Sequence, residues 1–407
     1  MLQEINKELT KHIIPFWKSL RDEEYGGYYG LVDFDLTVDK KAEKGAILNS
    51  RILWFFSRAF NELKDISLLR EADHAYRFLE EKLLDEEKGG ICWSVTYDGK
   101  VLDSTRHTYN QAFAIYALSE YYRASGNKTA LITAQKLFCL IEDKCRDRDG
   151  YLEAFDEDFN PLPNDKLSEN GVIAERTMNT ALHVLEAYTL LFDVTDDLSV
   201  KKLIGIKLAQ LLGVIRTKIY NPDKKRLDVF FDRDYESLID LQSYGHDIEA
   251  SWLIDLAADT LGDAFLEKEA AANIKRMTGE LAESTFERAL QDGSFINECE
   301  DGKQDRTRIW WVQSEAMVGF ANAYRKTGQA RYLKAVSDIW EYTGEFIIDK
   351  RNGGEWFWQA SEDGAPGKRP IVEPWKCPYH NGRMCFEIMN RLKEGEADDS
   401  RKVLRGA

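Results

Sequence analysis

The 407-residue sequence has little proline, eight residues, and no stretch of mixed proline, glycine and serine that would mark a linker. Length alone suggests two or three domains, but nothing in the chain divides it. The six cysteines (Cys92, Cys139, Cys145, Cys299, Cys377 and Cys385) form no CxxC pair and follow no disulfide framework. Reduced thiols and a cytoplasmic location are the expectation. No run approaches the ~20 uninterrupted apolar residues of a membrane span. The first residues, MLQEINKELTKHIIPFW, are amphipathic and carry acids, so they lack the basic start and apolar core of a signal peptide. Positive charge is in deficit: 55 Lys and Arg against 71 Asp and Glu give −16 at pH 7. That balance argues against nucleic-acid and anionic-membrane partners, whereas a neutral small molecule meets no long-range penalty.

Aromatic residues, in contrast, make up 12% of the chain and include ten Trp. Most belong in a core, and some are suited to stack on the C–H faces of sugars. A short motif of glycine followed by aromatic or apolar residues recurs. It appears at Tyr25-Gly-Gly-Tyr-Tyr-Gly30, Gly89-Gly-Ile-Cys-Trp93, Asp149-Gly-Tyr-Leu-Glu153, Asp292-Gly-Ser-Phe-Ile296 and Gly353-Gly-Glu-Trp-Phe357. Between Gly27, Gly90, Gly150, Gly293 and Gly354 the separations are 63, 60, 143 and 61 residues. The double interval has Arg226-Leu-Asp-Val-Phe-Phe-Asp232 near its middle, the same element without glycine. Six copies result, each a tight turn between short strands.

Helical patterns fill the intervals. Segments such as Arg51–Phe60, Gln111–Leu118 and Thr180–Tyr188 are apolar nearly all round, which predicts helices buried on most sides. Charged amphipathic segments, such as Leu68–Leu84 and Val200–Ile215, alternate with them and predict outer helices. Six helix pairs closed into a ring bury every inner helix and leave no exposed end. The expected fold is all-α, an (α/α)6 barrel of six helical hairpins with short β-hairpins at one end. One catalytic domain is expected over residues 1–393, followed by a charged tail over 394–407.

Each inner helix opens with polar or aromatic residues. They are Asn49-Ser-Arg51, Arg106-His-Thr-Tyr-Asn110, Arg176-Thr-Met-Asn179 with His183, Ser243-Tyr-Gly-His-Asp-Ile-Glu249, Trp310-Trp-Val-Gln-Ser-Glu315 and Trp375-Lys-Cys-Pro-Tyr-His-Asn-Gly-Arg383. Equivalent positions in six repeats converge at one end of the ring axis, and such a mouth is a natural ligand pocket. Four of the six histidines, His107, His183, His246 and His380, lie in these segments. His107 is the weakest of them, because it could simply hold a neighbouring loop. His12 and His74 fall on outer stretches and read as surface residues.

Three chemistries fit this constellation. Two imidazoles on opposite faces of one carbon allow inversion α to a carbonyl, since an ordinary imidazole, with a pKa near ~6.5, takes or gives a proton at neutral pH. Arg51 would then stabilise the enediolate oxygen. A zinc site on His183, His246 and His380 is the second possibility. No HExxH is present, and His246-Asp-Ile-Glu249 has the wrong spacing, so no metal is expected. A glycoside hydrolase is the third, with carboxylates from Asp103, Asp247, Glu249 and Glu315.

The sequence resembles the N-acylglucosamine 2-epimerase family from about residue 5 to about residue 390. The resemblance is carried by Ser50-Arg-Ile-Leu-Trp54, Arg106-His-Thr-Tyr109, Met178-Asn179 with His183, Ser243–Ala250, Trp310–Glu315 and Pro374–Arg383. The last block, His380 followed by Asn-Gly-Arg, is similar to the branch of the family that acts on disaccharides. The resemblance implies an (α/α)6 barrel and reversible 2-epimerisation of the reducing-end glucose of β-1,4-linked disaccharides such as cellobiose and lactose. It implies ring opening followed by proton transfer through a cis-enediolate. It places catalytic histidines at His246 and His380, a supporting one at His183 and a catalytic arginine at Arg51. Substrate contacts fall on Tyr109, Asn179, Glu249, Trp310, Trp311 and Trp375. A small-molecule disaccharide is thus the expected partner, with no cofactor, and the expected state is a monomer.

Overall fold

The computed structural model describes residues 1–167 and 170–405, the last twelve of them through their backbone only. Six helices hold the apolar segments: Ala46–Leu63, Thr108–Ser125, Met178–Val194, Tyr244–Leu261, Trp310–Thr327 and Tyr379–Arg405. Each packs on the next, and the sixth returns to the first, which closes a ring. Their burial is nearly complete. In the second inner helix every residue from Thr108 to Ile115 is buried, as expected of a helix without a polar face.

Outside them lie residues 2–19, Ile66–Phe78, Lys128–Leu140, Leu198–Val214, Lys268–Ala289 and Ala330–Tyr342. These bury one stripe only. In Ala330–Tyr342 the buried residues are Tyr332, Ala335, Val336, Ile339 and Trp340, the three- and four-residue spacing of one helix face. Outer and inner helices alternate along the chain, so the architecture is the expected (α/α)6 barrel. No described helix is long and apolar enough to cross a membrane.

Every outer helix ends in a tight antiparallel pairing at a motif read from the sequence. The paired residues are Arg21 with Tyr28, Leu84 with Ile91, Arg146 with Tyr151, Tyr220 with Leu227, Leu290 with Phe295, and Ile348 with Trp356. At Gly27 (φ +66) a Cβ would lie 2.7 Å from the Phe78 ring, so both the backbone and the packing demand glycine. The fourth copy dispenses with glycine by placing Lys225 in the left-handed region, at φ 50.

A second periodic device was not recognised in the sequence. A buried cation precedes five of the six inner helices: Lys44, Arg106, Arg176, Arg308 and Lys376. Lys44 reaches Asp22 at 2.6 Å, Arg106 reaches Asp85 at 2.6 Å, Arg176 reaches Asp147 at 2.9 Å and Lys376 reaches Glu355 at 2.7 Å. Arg308 donates instead to Ser294 Oγ at 3.0 Å. Each partner lies just beyond the preceding outer helix, so the pair ties the turn to the start of the inner helix. The fourth repeat carries Gln242 there, which donates to Asp247.

The reading of His74 as a surface residue is corrected. Its ring is buried, with Nε2 2.9 Å from the Gly27 carbonyl and an edge-on contact to Tyr28. It sits on the buried stripe of its amphipathic helix, where it braces the first glycine turn. His12 is half-buried and bonded to Glu8 at 2.7 Å. The expected tail over 394–407 falls outside the residues whose side chains are described.

Candidate active site

All ten residues to which the resemblance gave catalytic or substrate roles line one cleft at the N-terminal ends of the inner helices. Arg51, Tyr109, Asn179, His183, His246, Glu249, Trp310, Trp311 and His380 project from the six helices, and Trp375 comes from the segment just before the last. The repeat thus delivers one or two functional side chains per helix to a common point.

Each histidine is held from behind through Nδ1. His183 Nδ1 lies 2.9 Å from Glu186 Oε2, His380 Nδ1 lies 2.8 Å from Glu315 Oε1, and His246 Nδ1 lies 2.7 Å from Ser243 Oγ. Glu315 Oε1 also accepts from Arg383 Nη2 at 2.7 Å, so the imidazole is the donor in the His380 pair. That bond fixes the Nδ1–H tautomer and leaves Nε2 unprotonated for chemistry. Trp311 lies between the histidines, its ring centre 4.8 Å from His246 and 5.4 Å from His380.

Arg51 is buried, donating through Nη2 to the Tyr109 hydroxyl at 2.8 Å and through Nη1 to the Trp375 carbonyl at 3.3 Å. Its guanidinium lies 4.2 Å from the centre of the Phe113 ring and 4.8 Å from that of Tyr379. Aromatic faces on this scale hold a cation without neutralising it. Trp375 is half-buried and faces Tyr109 and Trp93 at 5.8 Å each. Trp310 is buried, with the Lys376 ammonium 4.8 Å from its ring centre, so it supports the floor more than it offers a stacking face.

Electrostatics follow from burial. Desolvation, with the neighbouring His183, pushes His246 down to about 3. Desolvation and the cations Arg383 and Arg51 hold His380 well below the ordinary imidazole value. Burial also lowers His183, against the pull of Glu186. All three are neutral bases at neutral pH, rather than the half-titrated groups the sequence suggested. Burial would raise Glu186, but Arg383 and the bond from His183 bring its carboxyl down to about 2. Burial and the nearby Glu315 push Glu249 up to about 8.

Sequence reasoning missed the supporting layer. Glu186, Tyr379 and Arg383 form a buried network beneath the histidines, with Tyr379 and Arg383 both donating to Glu186. It also missed the rim, where Lys166, Asn170, Phe230, Asn297, Glu298 and Trp358 line the mouth. Lys166 is anchored to Asp103 at 3.0 Å and Asn170 to Glu300 at 3.0 Å. No residue-type pattern marked these loops. His107 does not line the cleft; its ring lies 4.8 Å from that of Trp93, behind the wall.

The rival chemistries find less here. Among the described residues, the potential metal ligands whose atoms all lie within 4.8 Å are Glu249, Glu315 and His380, not the three histidines. Arg383 already supplies a cation to both carboxylates. Of the four carboxylates suited to hydrolysis, only Glu249 lines the cleft. Asp247 accepts from the Leu227 amide and Gln242, and Asp103 is held by Thr105 and Lys166.

Comparison with known proteins agrees. The family described as N-acylglucosamine 2-epimerase (GlcNAc 2-epimerase) matches residues 26–381. The cellobiose 2-epimerase of Eubacterium cellulosolvens is 50% identical over 398 residues, covering 95% of this chain and 97% of that one. That of Ruminococcus albus is 48% identical over 392 residues, covering 96% and 99%. The solved structure of cellobiose 2-epimerase from Bacillus thermoamylovorans B4167 superposes with a TM-score of 0.90 at 48% identity, over 96% of this chain and 99% of that one. The chain belongs to the N-acylglucosamine 2-epimerase family.

Proposed function

We propose that this protein is a cellobiose 2-epimerase, interconverting cellobiose with glucosylmannose and lactose with epilactose. The observation that carries this reading is the convergence of three neutral imidazoles, two buried and that of His246 half-buried, with Arg51 in one aromatic cleft, in a chain half identical to enzymes of that name along nearly their whole length. Trp311 and Trp375 are the half-buried aromatic faces of the cleft, suited to stacking on two linked sugar rings.

In this reading the reducing-end ring opens first, with His183 moving a proton between the anomeric hydroxyl and the ring oxygen. One of His246 and His380 then removes the C2 proton of the open-chain aldose. The electron pair of that C–H bond forms C1=C2, and negative charge moves onto O1. Arg51 faces that oxygen; its fixed charge in a desolvated site costs no reorganisation when the charge develops. The other histidine, which rests neutral and must first take up a proton from solvent, delivers that proton to the opposite face of C2, and the ring closes. The two histidines end with exchanged protonation states, which suits a reversible reaction. A low imidazole pKa makes the protonated partner a strong donor, so reprotonation is favoured.

The test is incubation with cellobiose, lactose, mannose and N-acetylglucosamine separately, with products resolved chromatographically. Epimerised disaccharides support the proposal. Equal efficiency on free mannose or on N-acetylglucosamine moves the assignment to another activity of the family, and release of glucose from cellobiose indicates hydrolysis.

A further inference from the structure

The buried layer beneath the cleft contains more acid than base. Glu186, Glu249 and Glu315 all contact one cation, Arg383. Two of the three meet at a single nitrogen: Glu249 Oε1 and Glu315 Oε1 both accept from Arg383 Nη2. Two ionised carboxylates so close in a water-poor site repel strongly, and one guanidinium N–H cannot neutralise both. Glu315 has the better claim to ionisation. Its Oε1 also accepts from His380 and its Oε2 accepts from Trp252 Nε1 at 3.1 Å. Glu249 has less: its Oε2 is fully buried, has no hydrogen-bond partner among the described residues, and belongs to a residue that lines the cleft. An ionised oxygen left unpartnered there would be costly, whereas a carboxylic O–H needs only an acceptor.

We propose that Glu249 works as a neutral carboxylic acid, donating through Oε2, the oxygen left without a partner among the described residues, to a hydroxyl or developing oxyanion of the bound sugar. The role differs from that of a carboxylate accepting hydrogen bonds from the substrate, and it rests on the epimerase reading given above. It also suits that chemistry, because a neutral donor in the cleft complements the charged Arg51 without adding charge to the resting site.

The charged and titratable groups that share the cleft with Glu249 or act on it electrostatically come from every inner helix. Arg51 is on the first and Tyr109 on the second. His183 and Glu186 are on the third, and His246 is on its own helix. Glu315 is on the fifth, and Tyr379, His380 and Arg383 are on the sixth. Of these, the groups that act most strongly on Glu249 are Glu315, which raises it, and Arg383, which lowers it. Burial, the largest cause, acts with Glu315 and pushes the Glu249 carboxyl up to about 8.

Two measurements decide the matter. Glu249→Gln keeps a donor at the cleft and an acceptor toward Arg383. It should retain at least about a tenth of wild-type kcat/KM on cellobiose, while Glu249→Leu loses far more. The wild-type profile should show an alkaline limb that Glu249→Gln abolishes. Loss of activity in a folded Gln variant comparable to that of the Leu variant, or an alkaline limb unchanged in it, overturns the proposal. Infrared difference spectroscopy at neutral pH reads the same group without turnover. The C=O band of a protonated carboxyl should be present in the wild type and missing in Glu249→Gln, and its absence from the wild type overturns the proposal. If the wild type fails to epimerise cellobiose, the functional reading fails, while the infrared band still decides the state of Glu249.

Discussion

His380 Nδ1 and Glu315 Oε1 lie 2.8 Å apart, both side chains buried, on the last two inner helices of the ring. The carboxylate orients the ring, holds the proton on Nδ1 and stabilises the imidazolium that forms when Nε2 takes a proton. Glu315→Gln keeps the shape but removes the charge. It should lower kcat on cellobiose by on the order of 10²-fold with little change in KM. Steady-state kinetics on the folded variant checks this; a change confined to KM would place Glu315 in substrate binding instead.

His246 is held differently, by the Ser243 hydroxyl at 2.7 Å. A hydroxyl orients a ring but contributes no charge to the imidazolium. Ser243→Ala should therefore cost much less than Glu315→Gln, about threefold to tenfold in kcat. The histidines themselves should behave as a unit. His246→Asn and His380→Asn should each abolish epimerisation, and the double variant should be hardly worse than either. In D2O the wild-type product should carry deuterium at C2. A single variant that retains the other base should still exchange the C2 hydrogen of unepimerised sugar. Proton NMR of recovered substrate reads this directly, and a wild-type product without deuterium rules the mechanism out.

The acid side of the pH profile follows from the same burial. The productive histidine is the neutral base, and activity falls when pH drops through its pKa in the folded enzyme. An ordinary imidazole would set that limb near ~6.5. Burial lowers all three site histidines, His246 to about 3. The acid limb of kcat/KM should accordingly lie below ~6.5. A profile measured in overlapping buffers checks it; a midpoint at or above the ordinary value would mean that these rings are hydrated in solution.

The barrel was legible in the sequence because two signals with different origins recur together. Tight turns require glycine or a left-handed residue, as at Gly27, and enclosed helices require apolar residues on every face, as in Thr108–Ser125. The convergence of Arg51, His183, His246 and His380 followed from their equivalent places in the repeat. What lies beneath them did not. Glu186, Glu315 and Arg383 meet only because three helices, far apart in sequence, turn one face toward the same point. Charge type gives no sign of such a meeting, since a glutamate on a helix is usually solvated. His74 was misread for the same reason: the helical period was right, but the face on which it lies was not.

The repeated buried cations make a last prediction about stability. Lys376 and Glu355 are both wholly buried, with Nζ 2.7 Å from Oε2. Glu355 Oε1 accepts from Asn381 and, at 3.4 Å, from Trp17 Nε1, so the pair joins the first outer helix to the last inner one. Lys376→Met would leave that carboxylate buried without its charge partner, which costs about 3–5 kcal/mol. Replacing both residues, as Lys376→Met with Glu355→Leu, removes the stranded charge and should recover much of the loss. The exposed pair Lys334–Asp338, at 2.5 Å on an outer helix, supplies the contrast. Lys334→Ala should change stability by less than about 0.5 kcal/mol, because solvent screens the charges. Urea midpoints of the three variants check the order. If Lys376→Met and Lys334→Ala are equally mild, the buried cation does not hold the inner helix to its turn, and the repeat owes its rigidity to the glycine turns and apolar packing alone.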